Sequence, residues 1–167
     1  MQAVILRSFG GPDQLRLAET DHPAAGPGQV RVSVRAAGVN PVDAGNRADG
    51  SWAGLTVPCV LGYDIAGVVD SVGPGVSGLA IGDAVMAMTH FPDGAGGYAE
   101  LTVVAADLVA PMADGSSFTD AAATPLAAGT AAVVLDRLAC PLATPCWCWA
   151  GAAASGCSCS SSRHAGG

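Results

Sequence analysis

The stretch QVRVSVRAAGVNPVD, residues 29–43, decides the fold that is predicted for this chain. Its first half alternates valine with polar residues, which places the valines on one face of a half-buried β-strand. Pro41 ends the strand, because proline lacks an N–H donor and keeps the preceding residue extended. The strand therefore delivers Asn40 and Asp43 to one rim of a sheet. Polar side chains at such a rim either contact a ligand or belong only to a turn.

Composition restricts the class of protein. The chain has 167 residues, enough for one domain with a substantial core. Half of the residues are hydrophobic but only 5% are aromatic, so the core must consist mainly of Val, Ala, Leu and Ile. The net charge of −7 argues against a nucleic-acid partner, which calls for a basic face. The sequence shows neither a signal peptide nor an apolar run of membrane-helix length, so we expect a soluble, cytoplasmic protein without a membrane partner.

Short strand-like runs fill most of the chain up to residue 111. Residues 1–7 and 14–19 have the pattern of a hairpin with a longer loop. Residues 57–72 are rich in β-branched side chains, and Gly62 and Gly67 interrupt them where a bulge or a close backbone approach is expected. Many short strands between Gly and Pro turns predict a mainly β fold, a compact and partly open β-barrel. The predicted core includes Val32, Val34, Ile65, Val68 and Val85.

Helical patterns occur at three places. Residues 42–48 can form one or two helical turns, with the Asp43 carboxylate near the N-terminal end of the dipole. Ser117 begins a capping-box pattern before the Ala-rich residues 118–124, and residues 127–138 repeat apolar side chains at helical spacing. A β domain that closes with terminal helices is expected to pass into another domain.

Five motifs together carry a family resemblance. They are GVNPVD (38–43), LGYDIAGVV (61–69), IGDAV (81–85), GGYAE (96–100) and ATPLAAGTA (123–131). In this order and spacing the chain resembles the N-terminal GroES-like, alcohol dehydrogenase-like domain of the medium-chain dehydrogenase/reductase superfamily. The zinc-independent quinone oxidoreductase branch, related to zeta-crystallin, is the most similar.

The resemblance implies an NADP(H)-dependent enzyme that moves hydride from NADPH to a quinone or an enone-like carbonyl compound. The alternative is a non-catalytic GroES-like binding or scaffold module. The resemblance also implies small-molecule partners and, for a full-length form, leaves a homodimer open. The implied organisation is a GroES-like catalytic domain over residues 1–125, a connecting helix over residues 126–138 and the start of a Rossmann domain over residues 139–167.

The site residues follow from the resemblance, one motif position at a time. Asn40 matches an asparagine close to the nicotinamide end of the cofactor, and Thr130 matches a threonine that contacts the same end. Asp43, Asp64 and Trp52 stand at positions that line the substrate cleft. No residue is assigned as the catalytic group.

Each cleft candidate also has a structural interpretation. On this interpretation, Asp64 would only form hydrogen bonds to the backbone of its strand turn, Asp43 would only cap a helix, and Trp52 would only pack within a loop. Asn46 stands where the close relatives commonly have an aromatic side chain.

The zinc-dependent branch of the superfamily carries a cysteine where Asn40 stands and a histidine where Tyr63 stands. A catalytic zinc needs such ligands together with an open position, and neither ligand is present. Residues 86–97 also lack the cysteines of a structural zinc lobe. The isolated Cys59 and His90 do not replace them, so we predict no zinc in this domain.

The end of the chain has a different composition. All Asp and Glu residues precede residue 139, and no G-x-G-x-x-G turn follows it, although the family would place its cofactor-binding turn there. Three interpretations compete: a metal-binding tail, an unstructured end, or a shifted reading frame. The metal-binding tail would use Cys146, Cys148, Cys157, Cys159 and His164.

The genetic code favours the shifted frame. Joining the third base of each codon to the first two bases of the next makes residues 142–156 compatible with GDTVLVLGGSGGVG, and its Leu-Val-Leu-Gly positions are forced. That sequence resembles the strand and glycine-rich turn expected at this point. We therefore predict that residues 139–167 are a frame-shifted, poorly ordered remnant of the Rossmann domain and that this chain by itself binds no cofactor.

Overall fold

The computed structural model describes residues 1–90 and 96–137. Its strands are β1 Gln2–Leu6, β2 Leu15–Glu19, β3 Gln29–Gly38, β4 Cys59–Val60, β5 Asp64–Val72, β6 Ala84–Met88, β7 Leu101–Ala105 and β8 Val109–Pro111. Its α-helices are α1 Pro41–Asp49, α2 Phe118–Ala122 and α3 Pro125–Arg137. The predicted mainly β fold with helices near its end is confirmed.

The strands form two antiparallel sheets. The three-stranded sheet has the order β2-β1-β4, and the five-stranded sheet has the order β7-β3-β5-β6-β8. β1 and β2 pair from Gln2 opposite Glu19 to Leu6 opposite Leu15, which confirms the predicted hairpin. Within the described parts of the chain the sheets stay open and do not close into a barrel. The prediction of a partly open architecture is therefore correct.

The main core lies on one face of the five-stranded sheet. Val32, Ile65 and Val85 are fully buried there, as predicted. Val34 is partly buried and packs against this core, whereas the prediction for Val68 is wrong, because it is partly buried and lies outside the cluster. Residues 65 and 68 are an odd number of positions apart, so a strand turns them to opposite faces, and Val69 fills the core position instead. The core cluster consists of Val30, Val32, Ile65, Val69, Val85, Ala87 and Val104.

Two glycines allow segments of the fold to approach closely, as the sequence predicted. Gly62 has a positive φ of 97°, and a Cβ atom there would lie 2.5 Å from Cδ1 of Tyr98. Gly67 lies in β5, where a Cβ atom would overlap the carbonyl oxygen of Ser33 in β3. The pairing of β3 with β5 therefore requires a residue without a side chain at position 67.

The chain divides into two compact units. Residues 1–126 form the first unit, and the second begins at Ala127, with described residues up to Arg137. The helix predicted over residues 127–138 is α3, which begins two residues earlier than expected. The predicted Rossmann remnant over residues 139–167 lies outside the described residues. None of the helices in the described residues is long and apolar enough to cross a membrane.

Candidate functional site

Asn40 lies where β3 passes into α1. Its backbone is extended, with φ −117° and ψ 159°, and Pro41 follows in the first turn of the helix. The Asp43 carboxylate accepts a hydrogen bond from the backbone N–H of Asn40 at 2.8 Å. Asp43 therefore caps the start of α1, as its structural interpretation predicts, where the helix dipole favours a negative charge.

Asp43 also joins α1 to the start of β5. Its second carboxylate oxygen accepts a hydrogen bond from the backbone N–H of Gly62 at 3.1 Å. The residue is only 3% exposed, so both oxygens are used inside the protein. These two bonds fix the start of α1 against the turn that precedes β5.

Asp64 is the first residue of β5 and is only 1% exposed. One of its oxygens accepts from Nδ2 of Asn40 at 3.0 Å, and the other accepts from the backbone N–H of Leu126 at 3.0 Å. The structural interpretation of Asp64 is thus half right, since it does bond backbone, but 62 residues along the chain rather than in its own turn. Because a carboxylate accepts hydrogen bonds and the amide nitrogen donates them, this contact fixes which way the Asn40 amide faces.

Burial sets the electrostatics of this cluster. Desolvation raises the pKa of Asp43, opposed by the backbone N–H groups of Asn40 and Gly62. Desolvation likewise raises the pKa of Asp64, opposed by the amide of Asn40, and the Asp43 charge raises it further. The Tyr98 hydroxyl is buried close to the Asp43 carboxylate. Burial raises its pKa most, and the nearby Asp43 charge adds to that rise, so Tyr98 stays neutral.

The raised pKa of Asp64 predicts how stability depends on pH. The folded state holds the carboxyl proton of Asp64 more tightly than the unfolded state does. The contribution of Asp64 to the free energy of unfolding is therefore complete below its pKa in the unfolded state, and it is lost as pH rises through its pKa in the folded state. We expect the free energy of unfolding of the wild type, minus that of Asp64→Asn, to fall as pH rises above about 3.9, the ordinary pKa of Asp. Urea unfolding at a series of pH values measures this difference.

Asp49 provides a control of opposite sign. Hydrogen bonds from Ser51 lower its pKa, so its contribution to stability is present above the unfolded pKa and is lost as pH falls through the folded pKa. The corresponding difference for Asp49→Asn should rise with pH in the acidic range. A flat or rising difference for Asp64→Asn would contradict the effect of burial at Asp64.

Asn46 is a buried polar residue whose role the sequence did not predict. It is fully buried in α1, its Nδ2 donates to the Tyr63 hydroxyl at 3.1 Å, and its Oδ1 accepts from the backbone N–H of Ala53 at 3.0 Å. Its position four residues after Val42, on the same helix face, was the available signal. Asn46 therefore holds α1 against the segment before β5 and against the loop that follows α1.

The remaining site candidates are Trp52 and Thr130. Trp52 is 52% exposed, and its indole packs against α1 so closely that a Cβ atom at Gly45 would lie 2.8 Å from Nε1. This contact agrees with the loop-packing interpretation of Trp52. Thr130 is exposed on α3 and belongs to the second unit. The structure thus brings together Asn40, Asp43 and Asp64 within one unit.

Comparison with known proteins identifies the family. The family model of the alcohol dehydrogenase GroES-like domain matches residues 26–114, more than half of the chain. The chain belongs to this family. The matched segment contains all three residues of the cluster around Asn40.

Individual relatives place the domain in the quinone oxidoreductase branch of the medium-chain dehydrogenase/reductase superfamily, as predicted. The human synaptic vesicle membrane protein VAT-1 homolog-like is 34% identical over 139 residues, which cover 83% of this chain and 32% of that protein. The quinone oxidoreductase of Coxiella burnetii is 32% identical, with a TM-score of 0.80 over 86% of this chain and 47% of that one. The Escherichia coli quinone oxidoreductase complexed with NADPH is 27% identical, with a TM-score of 0.75 over 83% of this chain and 41% of that one.

The two positions that hold zinc ligands in the zinc-dependent branch are occupied here by hydrogen-bonding residues. Asn40 bonds Asp64, and Tyr63 bonds Asn46. The described residues contain no group of three or more His, Cys, Asp or Glu side chains that could hold a metal ion. Cys59 is partly buried, and burial raises the pKa of its thiol, which disfavours the thiolate that a metal needs. The absence of zinc stays a prediction that elemental analysis can test.

Proposed function

We propose that this GroES-like domain serves an NAD(P)H-dependent oxidoreductase of the quinone oxidoreductase type, which transfers hydride from NADPH to a quinone or an enone-like carbonyl compound. The observation that carries the proposal is the Asn40 amide, held by Asp64 at the junction of β3 and α1. The chain spans about a third of the length of the human VAT-1 homolog-like protein and of the rat quinone oxidoreductase, and just under half of the solved quinone oxidoreductase from Coxiella burnetii. The activity of the whole protein is therefore part of the proposal.

The residues around Asn40 fit contact with a nicotinamide. The side chain is partly exposed, so a ligand can reach it, while the bond to Asp64 at 3.0 Å restricts its rotation. Thr130 would contact the same end of the cofactor in the assembled enzyme. When bound, NADPH supplies the hydride, and the protein residues orient the two reactants and exclude water.

Buried carboxylates limit what the cluster can do as a proton donor. Asp43 and Asp64 each accept two hydrogen bonds, so neither presents a free carboxyl group to a substrate. The Tyr98 hydroxyl is enclosed as well. We propose that the rate enhancement comes mainly from orientation, with the proton for the reduced substrate supplied from solvent.

The test uses a version with the shifted frame restored and the second domain appended. We expect it to oxidise NADPH in the presence of a simple quinone or an enone, and we expect Asn40→Ala to lower kcat/KM about tenfold or more, the effect of one lost hydrogen bond in the transition state. The decrease in NADPH absorbance over time measures both the activity of the restored protein and the kcat/KM of the Asn40→Ala variant.

The matched control is Leu17→Ala, because Leu17 is 66% exposed on the edge strand β2 of the other sheet. It should leave kcat/KM unchanged. A restored protein that binds NADPH but reduces neither a quinone nor an enone would contradict the enzyme proposal and favour the scaffold alternative.

A further inference from the structure

Three backbone segments meet at one buried carboxylate. Asp64 opens β5, Asn40 precedes α1, and Leu126 lies in the first turn of α3. In the ladder between β3 and β5, Asp64 pairs with Gly38, two residues before Asn40. The sheet therefore places the carboxylate beside the end of β3, where its two oxygens accept from two different donors.

The geometry leaves this carboxylate little freedom. A Cβ atom at Gly38 would lie 2.9 Å from Cβ of Asp64 and 2.5 Å from the carbonyl oxygen of Ala122, so β3, β5 and the end of α2 are packed without spare room. Both donors to Asp64, the Asn40 amide and the Leu126 N–H, lie at 3.0 Å. Displacement of the carboxylate therefore disturbs both hydrogen bonds together.

We infer that Asp64 is a positioning residue: one carboxylate sets the orientation of the Asn40 amide and the placement of Leu126 at the start of α3 together. Its contribution to catalysis rests on the proposed contact between Asn40 and the nicotinamide. The mechanical coupling of Asn40 to Leu126 does not depend on that contact. Asp64 would thus couple the position of the Leu126 backbone to the orientation of the amide that meets the cofactor.

Other groups near Asp64 do not provide the same link. Asp43 carries the nearest like charge, but it bonds the backbone N–H of Asn40 and Gly62 rather than the Asn40 side chain. The charges of Asp43 and Asp64 both raise the pKa of the Tyr98 hydroxyl, but the two donors to Asp64 are the Asn40 amide and the Leu126 N–H. Substitution of Asp64 should therefore abolish the link between the Asn40 amide and the backbone of Leu126.

Nuclear magnetic resonance on the 167-residue chain tests the coupling without any cofactor. The two side-chain amide protons of Asn40, assigned with Asn40→Ala, and the backbone N–H of Leu126 should titrate with one shared midpoint, displaced above the ordinary Asp pKa of about 3.9. The backbone N–H of Asn40 should follow Asp43 instead, which separates the two carboxylates. Different midpoints for the Asn40 amide and Leu126, or no titration of either, would overturn the inference.

Two variants complete the test. In Asp64→Asn both titrations should disappear, because the neutral amide offers one acceptor to two donors and carries no titrating charge. Asp70→Asn is the matched control in the same strand, where Asp70 pairs with Arg31 at 2.8 Å, and both titrations should persist. If Asp64→Asn fails to fold, the wild-type protein alone tests the inference, because the titration midpoints of the Asn40 amide and the Leu126 N–H either agree or differ. Titration of the Asn40 amide that survives in a folded Asp64→Asn protein would overturn the inference.

The experiments distinguish failure of the proposed function from failure of the positioning role of Asp64. If the titrations behave as expected but the restored two-domain protein does not bind NADPH, the coupling stands and the cofactor role of Asn40 is wrong. If NADPH binds but the two midpoints differ, the enzyme proposal stands and the positioning role of Asp64 is wrong.

Discussion

The 167-residue chain is expected to show no measurable binding of NADPH at cofactor concentrations near 100 µM, roughly the middle of the usual range of enzyme KM values. Most of the affinity of such domains for a dinucleotide comes from backbone N–H groups of a glycine-rich turn at a helix N-terminus, which receive the pyrophosphate. Residues 139–162 as written contain no such turn. Asn40 and Thr130 would contribute only at the nicotinamide end.

Isothermal titration calorimetry measures this directly. The version with the shifted frame restored and the second domain appended is the positive control in the same buffer, and it should bind NADPH within the micromolar to millimolar range. Tight binding of NADPH by the 167-residue chain itself would show that the interpretation of residues 139–167 is mistaken.

Gly67→Ala is expected to lower the free energy of unfolding by about 3 kcal/mol or more, at the upper end of the cost of overpacking. The new Cβ atom would overlap the carbonyl oxygen of Ser33 and lie 2.8 Å from Cγ1 of Val32. Neither neighbour can move freely, because Ser33 pairs with Val68 and Val32 with Val69 in the central ladder. Relief of the clash requires separation of β3 from β5, which also disturbs the pairing that places Asp64 beside Gly38.

Gly75→Ala separates this steric effect from backbone strain. Gly75 has a φ of 81°, and a Cβ atom there would meet no other part of the protein within 4 Å. Alanine at this position should therefore lower the free energy of unfolding only by the strain of a left-handed backbone conformation, about 1–2 kcal/mol. Urea unfolding of both variants gives the comparison. An equal or smaller loss for Gly67→Ala would contradict the close approach of β3 and β5.

The sequence predicted the parts of the fold that depend on local pattern. The alternation in residues 29–34 and the proline at 41 were enough to place β3, its end and Asn40 at the rim. The side of β5 that faces the core was harder, because residues 65–69 are apolar or glycine at every position and the pattern does not distinguish Val68 from Val69. Only pairing with β3 decides between them.

The partners of the site residues could not be predicted for a related reason. The sequence indicated that Asp43 caps α1, because a carboxylate three residues after an N-cap is a local arrangement. The bond between Asp64 and Leu126 joins residues 62 positions apart, and the bond between Asn46 and Tyr63 joins a helix to the segment before β5. Such contacts depend on how the helices and strands pack, and the spacing of residues along the sequence does not predict that packing.

The bond between Asn46 and Tyr63 has a consequence for the divergence of the two branches of the superfamily. Exchange of Asn40 for cysteine and of Tyr63 for histidine would supply two zinc ligands. It would also remove the hydroxyl to which Nδ2 of the fully buried Asn46 donates, and the side-chain donor to Asp64. A buried polar group left without a partner costs about 1–3 kcal/mol. We therefore expect that introduction of the two ligands into this chain would also require changes at Asn46 and Asp64. In this chain, the hydrogen bonds behind positions 40 and 63 therefore add an energetic cost to any exchange of those two residues.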